Sequence, residues 1–161
     1  MPVGWNDLAF RPSPELTAEI AAAWEWLIGD QDWSPVLCSR LGDLFFERSG
    51  GGIDWLSCSS GIIHSAAPDR RAFDAICRSW DEPAAEWFGP ALVEQLHVSG
   101  KIAGPADCYA FLIQPVFAEC RYVPDNLVIV PVREVFVGLS GFHQQLTAIP
   151  DGQKVQIKVI D

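Results

Sequence analysis

Cys108 and His143 are the one nucleophile and base pairing that this chain's residues suggest, with Asp125 or Asp151 available to orient the imidazole. Thiolate attack needs an activated thiol, commonly presented at a helix start or a glycine elbow, whereas Cys108 precedes Tyr109 in a strand-like run. The pair therefore reads first as a packed thiol and a hydrogen-bonded histidine, with a small cytosolic hydrolase as the alternative. Gly50-Gly51-Gly52 lacks the following lysine and helix that cradle a phosphate, so it reads as a hairpin turn. Asp81 and Glu82 are adjacent, and adjacent surface carboxylates do not converge on one substrate; a metal-dependent nuclease needs several around a cleft. No Cys-x-x-Cys pair occurs, and His64, His97 and His143 show no zinc-ligand spacing with the five cysteines, Cys38, Cys58, Cys77, Cys108 and Cys120. These observations predict no catalytic centre, no metal and no cofactor.

The elements that position these residues alternate in kind. From Ser13 to Ile28, Leu16, Ile20, Ala23, Trp24, Leu27 and Ile28 recur at helical spacing, with Ser13 as N-cap, Pro14 in the first turn and Gly29 as the stop. Short strands are predicted at Val36 to Leu37, Leu44 to Glu47 and Ile53 to Cys58, then at Ile62 and Ile63 after a Ser60-Gly61 turn. Pro68-Asp69 opens a helix carrying Phe73, Ile76, Cys77 and Trp80, and a second helix is expected from Glu82-Pro83 to His97. Strands follow at Cys108 to Ile113 and Leu127 to Val132. Val135 to Leu146 has a helical period weakened by Gly138 and Gly141, and Val155 to Val159 alternates as a final strand after a Pro150-Asp151-Gly152 turn. With no repeat, linker or low-complexity tract, the chain reads as one α+β domain over residues 1 to 161, with a mostly antiparallel sheet flanked by helices and an N-terminal arm at residues 1 to 12.

Composition fits that picture. The 161 residues are 49% hydrophobic, enough for a core, and no apolar run is long enough to span a bilayer. The first ten residues lack the pattern of a signal peptide and the cysteines are odd in number and scattered, so a cytoplasmic protein with reduced thiols is expected. A net charge of −10 argues against binding a phosphate backbone and in favour of a basic partner, the alternative being simple solubility. Glu15, Glu19, Glu25, Asp30 and Asp32 concentrate negative charge in and after the first long helix, where no lysine or arginine occurs; Asp81, Glu82 and Glu86 form a second acidic stretch. Trp24 and Trp26 cannot both face the core from one helix, because residues two apart point about 200° apart. Trp26 is accordingly a candidate interface anchor beside those carboxylates, or else packs under the following loop.

Several phrases recur in a fixed order: Leu41-Gly42-Asp43-Leu44-Phe45, Asp54-Trp55-Leu56, Cys108-Tyr109, Pro124-Asp125-Asn126, Gly141-Phe142-His143-Gln144-Gln145 and Pro150-Asp151-Gly152. Together they resemble the C-terminal domain family of type VI secretion immunity proteins, from about Thr17 to Val159; SUKH-type immunity folds are the fallback architecture. The chain departs from the family at Ala118-Glu119, where a glycine pair is usual, and at Glu134-Val135, where an acidic residue is followed by histidine. The resemblance implies a non-enzymatic protein that binds and neutralises a cognate antibacterial toxin, a type VI secreted DNase. The expected partner is that protein, with no direct contact to nucleic acid or membrane; a general regulatory scaffold is a further alternative.

Overall fold

The computed structural model describes residues 2–156. A short helix α1 (Trp5–Leu8) leads into β1 (Ala9–Phe10), then α2 (Pro14–Ala23) and α3 (Glu25–Ile28). Four strands follow in sequence: β2 (Trp33–Ser39), β3 (Asp43–Arg48), β4 (Ile53–Ser57) and β5 (Ile62–Ala67). With β1 they form a five-stranded antiparallel sheet in chain order, so each strand pairs with the next. Helices α4 (Arg70–Ser79), α5 (Ala84–Phe88) and α6 (Pro90–Val98) come next. A two-stranded sheet of β6 (Asp107–Phe111) and β7 (Leu127–Pro131), then α7 (Val132–Phe136) and α8 (Leu139–Leu146), complete an α+β fold.

Why β3 is a continuous apolar run follows from its place. It is the middle strand, covered on both faces, so Leu44, Phe45 and Phe46 are all fully buried. Phe45 points into a cluster with Leu37, Ile53, Phe73, Trp87, Phe88 and Leu96, which brings α4, α5 and α6 onto one face. Leu44 and Phe46 point into a second cluster with Leu16, Ile20, Trp24, Ile28 and Phe136, which brings α2, α3 and α7 onto the other. Each such buried side chain contributes about 1.5 to 3 kcal/mol. The small sheet is tied to the large one where Tyr109 N–H donates to the Arg40 carbonyl at 2.8 Å. Buried Arg40 returns the link, donating from one guanidinium nitrogen to the carbonyls of Pro105 (3.0 Å) and Asp107 (2.8 Å).

The structure corrects three sequence expectations about helices. The predicted helix from Ser13 to Ile28 breaks at Trp24, whose φ is −104° and ψ 12°. Tertiary hydrogen bonds explain this: the Ser140 hydroxyl takes the Ala23 carbonyl, Leu27 N–H turns to Trp24 instead, and the Trp24 indole donates to the Phe136 carbonyl at 2.7 Å. The break also lets Trp24 and Trp26 stack, with centroids 5.8 Å apart, which an unbroken helix forbids. The helix expected from Glu82 to His97 is two, α5 and α6, because Pro90 has no N–H to continue the first and instead starts the second. Val135 to Leu146 likewise splits into α7 and α8. The expected N-terminal arm is packed into the fold: Leu8 is buried and Ala9 pairs with Ser39. The final strand expected at Val155 to Val159 lies mostly outside the described residues.

Candidate functional site

One face of α2 presents Pro14, Thr17, Ala18, Ala21 and Ala22 at helical spacing, and these small side chains leave a groove against the loop that follows α3 and the start of β2. Its volume is about 760 Å³. Three of the acidic candidates line it, Glu25, Asp30 and Asp32, beside the ring of Trp33. All three carboxylates are exposed, and none has an ion-pair partner among the described residues. The result is an apolar floor with a negative rim, a surface suited to basic side chains with aliphatic stems.

The remaining candidates are dispersed. Glu19 turns away from the groove and pairs with Arg133 on α7, Oε2 to Nε 2.6 Å. Glu15 is exposed on the first turn of α2, outside the groove. Trp26 is half-buried, and its indole N–H donates to Ser140 Oγ at 2.8 Å, so it ties α3 to α8. That hydrogen bond gives the ring a structural task. Asp81 and Glu82 are exposed in the turn before α5, while Glu86 on α5 lines a different cavity.

Cys108 and His143 are not assembled into a pair. Cys108 is fully buried in β6, and burial pushes its thiol up to about 12, the opposite of activation. His143, on α8, is buried, with its ring 6.1 Å from Trp24 and 5.1 Å from Phe142 by centroids. Burial lowers its pKa, against the raising effect of the Cys58 and Ser59 backbone. No hydrogen bond joins it to Cys108, Asp125 or Asp151 among the described residues, and both aspartates are exposed. Its neighbour is Gly61: a Cβ there would lie 2.5 Å from His143 Cγ, at a φ of +70°. The histidine phrase thus belongs to the packing of α8 on the β4–β5 turn. Among the described residues, no three His, Cys, Asp or Glu side chains are grouped to hold a metal ion.

In the sequence Asp43 stood out only as part of the phrase Leu41-Gly42-Asp43-Leu44-Phe45, and its setting was missed. It lines a second cavity of about 360 Å³ with Trp55, Ser57, Ser59, His64, Glu86, Phe111 and Tyr122. Burial pushes its carboxyl up to about 7, opposed by nearby Trp55, Ser39 and Ser57, while the Glu86 charge raises it further. Ser39 Oγ donates to Oδ2 at 2.9 Å. Two buried polar atoms on the same cavity, Trp55 Nε1 and Ser59 Oγ, have no hydrogen-bond partner of regular geometry among the described residues. The signal available in the sequence was the aspartate itself, set beside the apolar run of a central strand, where a carboxylate is costly.

No protein-family model matches this chain, and no curated protein matches it.

Proposed function

We propose that this protein is a cytoplasmic, non-enzymatic immunity protein that neutralises a basic antibacterial toxin, a type VI secreted nuclease, by direct contact. The observation that carries the reading is the α2 groove, where Glu25, Asp30 and Asp32 rim an apolar floor without partners among the described residues. A net charge of −10 adds long-range attraction for a basic protein, and the ordered sequence phrases supply the kind of partner. A nuclease must hold DNA on a positive surface, and carboxylates at the groove compete for that surface as phosphates do.

The test reads the neighbouring reading frames for a secreted nuclease and pairs the protein with its product; neighbouring frames that hold no such toxin would count against the reading. Addition of the protein is expected to stop cleavage of plasmid DNA in a stoichiometric manner. Reversal of Glu25, Asp30 and Asp32 to lysine is expected to slow association roughly tenfold or more at low salt and to flatten its salt dependence. A nuclease that cuts DNA equally fast with and without the protein would overturn the function. Unchanged association of the triple variant would overturn the groove as its seat.

A further inference from the structure

The Asp43 cavity holds a carboxylate buried to 8% exposure with no ion-pair partner among the described residues; His64 shares its lining, and a second carboxylate, Glu86, opens on the same space. Trp55, Phe111 and Tyr122 supply aromatic walls, and Ser59 Oγ, on a residue only 4% exposed, has a free lone pair there. The two acidic groups disfavour an anion, and a bound cation draws the proton off Asp43. A flat cation with several N–H donors satisfies both carboxylates, the serine hydroxyl and an aromatic face at once, which an ammonium does less completely. The segment that carries the wall residues Pro115 and Tyr122 points to a macromolecule: Leu112 (61% exposed), Ile113, Val116 and Val123 on it are exposed apolar side chains. A buried polar anchor site beside an exposed apolar segment suits an interface hot spot, in which arginine is enriched.

We propose that the cavity beside Asp43 receives the guanidinium of one arginine side chain from the protein partner, held by the Asp43 and Glu86 carboxylates against the Trp55 and Tyr122 rings. This rests on the reading of the partner as a basic protein, and adds the anchor that fixes its register. The acidic groove attracts the partner; the cavity locks it.

The probe is N-acetyl-arginine amide, with the uncharged citrulline analogue as control, titrated into the full-length protein while the Trp55 indole N–H is followed by NMR. Saturable displacement of that signal by the arginine probe alone is expected, weakened about threefold in Glu86→Gln, an exposed position that leaves the core untouched. Equal response to both probes, or none to either, would overturn the cavity as a guanidinium site. A second arm uses the nuclease: Tyr122→Ala and Glu86→Gln are expected to speed dissociation of the complex by roughly tenfold together. Binding of the free probe with an unchanged nuclease complex would overturn the assignment to the partner. The titration needs no nuclease, so failure of the immunity reading and failure of the cavity are told apart.

Discussion

Asn126 grips Ile113 by both of its backbone groups. Its Oδ1 accepts from the Ile113 N–H at 2.8 Å and its Nδ2 donates to the Ile113 carbonyl at 3.1 Å, while the same Nδ2 reaches the Arg121 carbonyl at 2.9 Å. One buried amide therefore closes the two ends of the 112–123 loop, which carries Tyr122 and Pro115 to the Asp43 cavity.

Asn126→Ala leaves those backbone groups unpaired, and the expected loss is about 1 to 3 kcal/mol in equilibrium denaturation. Amide exchange at Ile113 should rise more than at Phe45. Uniform loss of protection, with no excess in the loop, would show that Asn126 acts on the whole fold and not on this segment.

Gly61→Ala forces a left-handed conformation and drives a methyl into the His143 ring, with an expected cost of about 2 to 3 kcal/mol. The steric part should shrink when His143 is also alanine, leaving the backbone part. A double-mutant cycle separates the two, and strict additivity would mean the ring does not rest on Gly61.

Asp43 gives a pH signature of known sign. Its carboxyl titrates near 7 when folded against an ordinary value of 3.8, so between these values the folded state holds the extra proton. Stability from this group is fully present below about 4 and is lost as pH rises toward 7. The amplitude is on the order of a few kcal/mol. His143, whose pKa burial lowers, works in the opposite direction: its contribution is lost as pH falls below its ordinary range. The difference in denaturation free energy between wild type and Asp43→Asn isolates the first effect. A difference that stays flat from pH 4 to 8 would contradict the burial of Asp43 without an ion-pair partner among the described residues.

All five cysteines are free thiols, but they are not equivalent. Cys38, Cys58 and Cys108 are buried with pKa values raised by burial, and Cys77 and Cys120 are partly accessible. Native alkylation at pH 8 is expected to modify Cys77 and Cys120 slowly, and the other three only on unfolding. Fast native labelling of Cys108 would revive it as a nucleophile.

Local pattern made most of the fold legible. The Ser13 cap, the Gly50-Gly51-Gly52 hairpin and the apolar run Leu44-Phe45-Phe46 each act through their own neighbours in sequence, and each is where it was expected. Pro90 carries a local helix-start signal, yet the expected helix from Glu82 to His97 ran through it. The break at Trp24 was not legible, because it depends on Ser140 and Phe136, more than 110 residues away. The same limit applies to the candidate sites. Charge density in residues 13 to 32 was visible, but which carboxylates share a groove depended on Arg133 claiming Glu19. Asp43 and Glu86 meet across a cavity through folding alone, and no spacing in the sequence announces it.

The sequential order of the five strands bears on how the chain assembles during synthesis. Every pairing in the large sheet joins successive strands, and three of the four cross only a short turn, so loop closure costs little at each step. The sheet can form while the distal third is still being made. Arg40 must then wait, because the carbonyls of Pro105 and Asp107 that receive its guanidinium arrive some 65 residues later. Pulse-labelled exchange during refolding is expected to protect Phe45 and Leu56 before Tyr109, and simultaneous protection would show that both sheets form in one step.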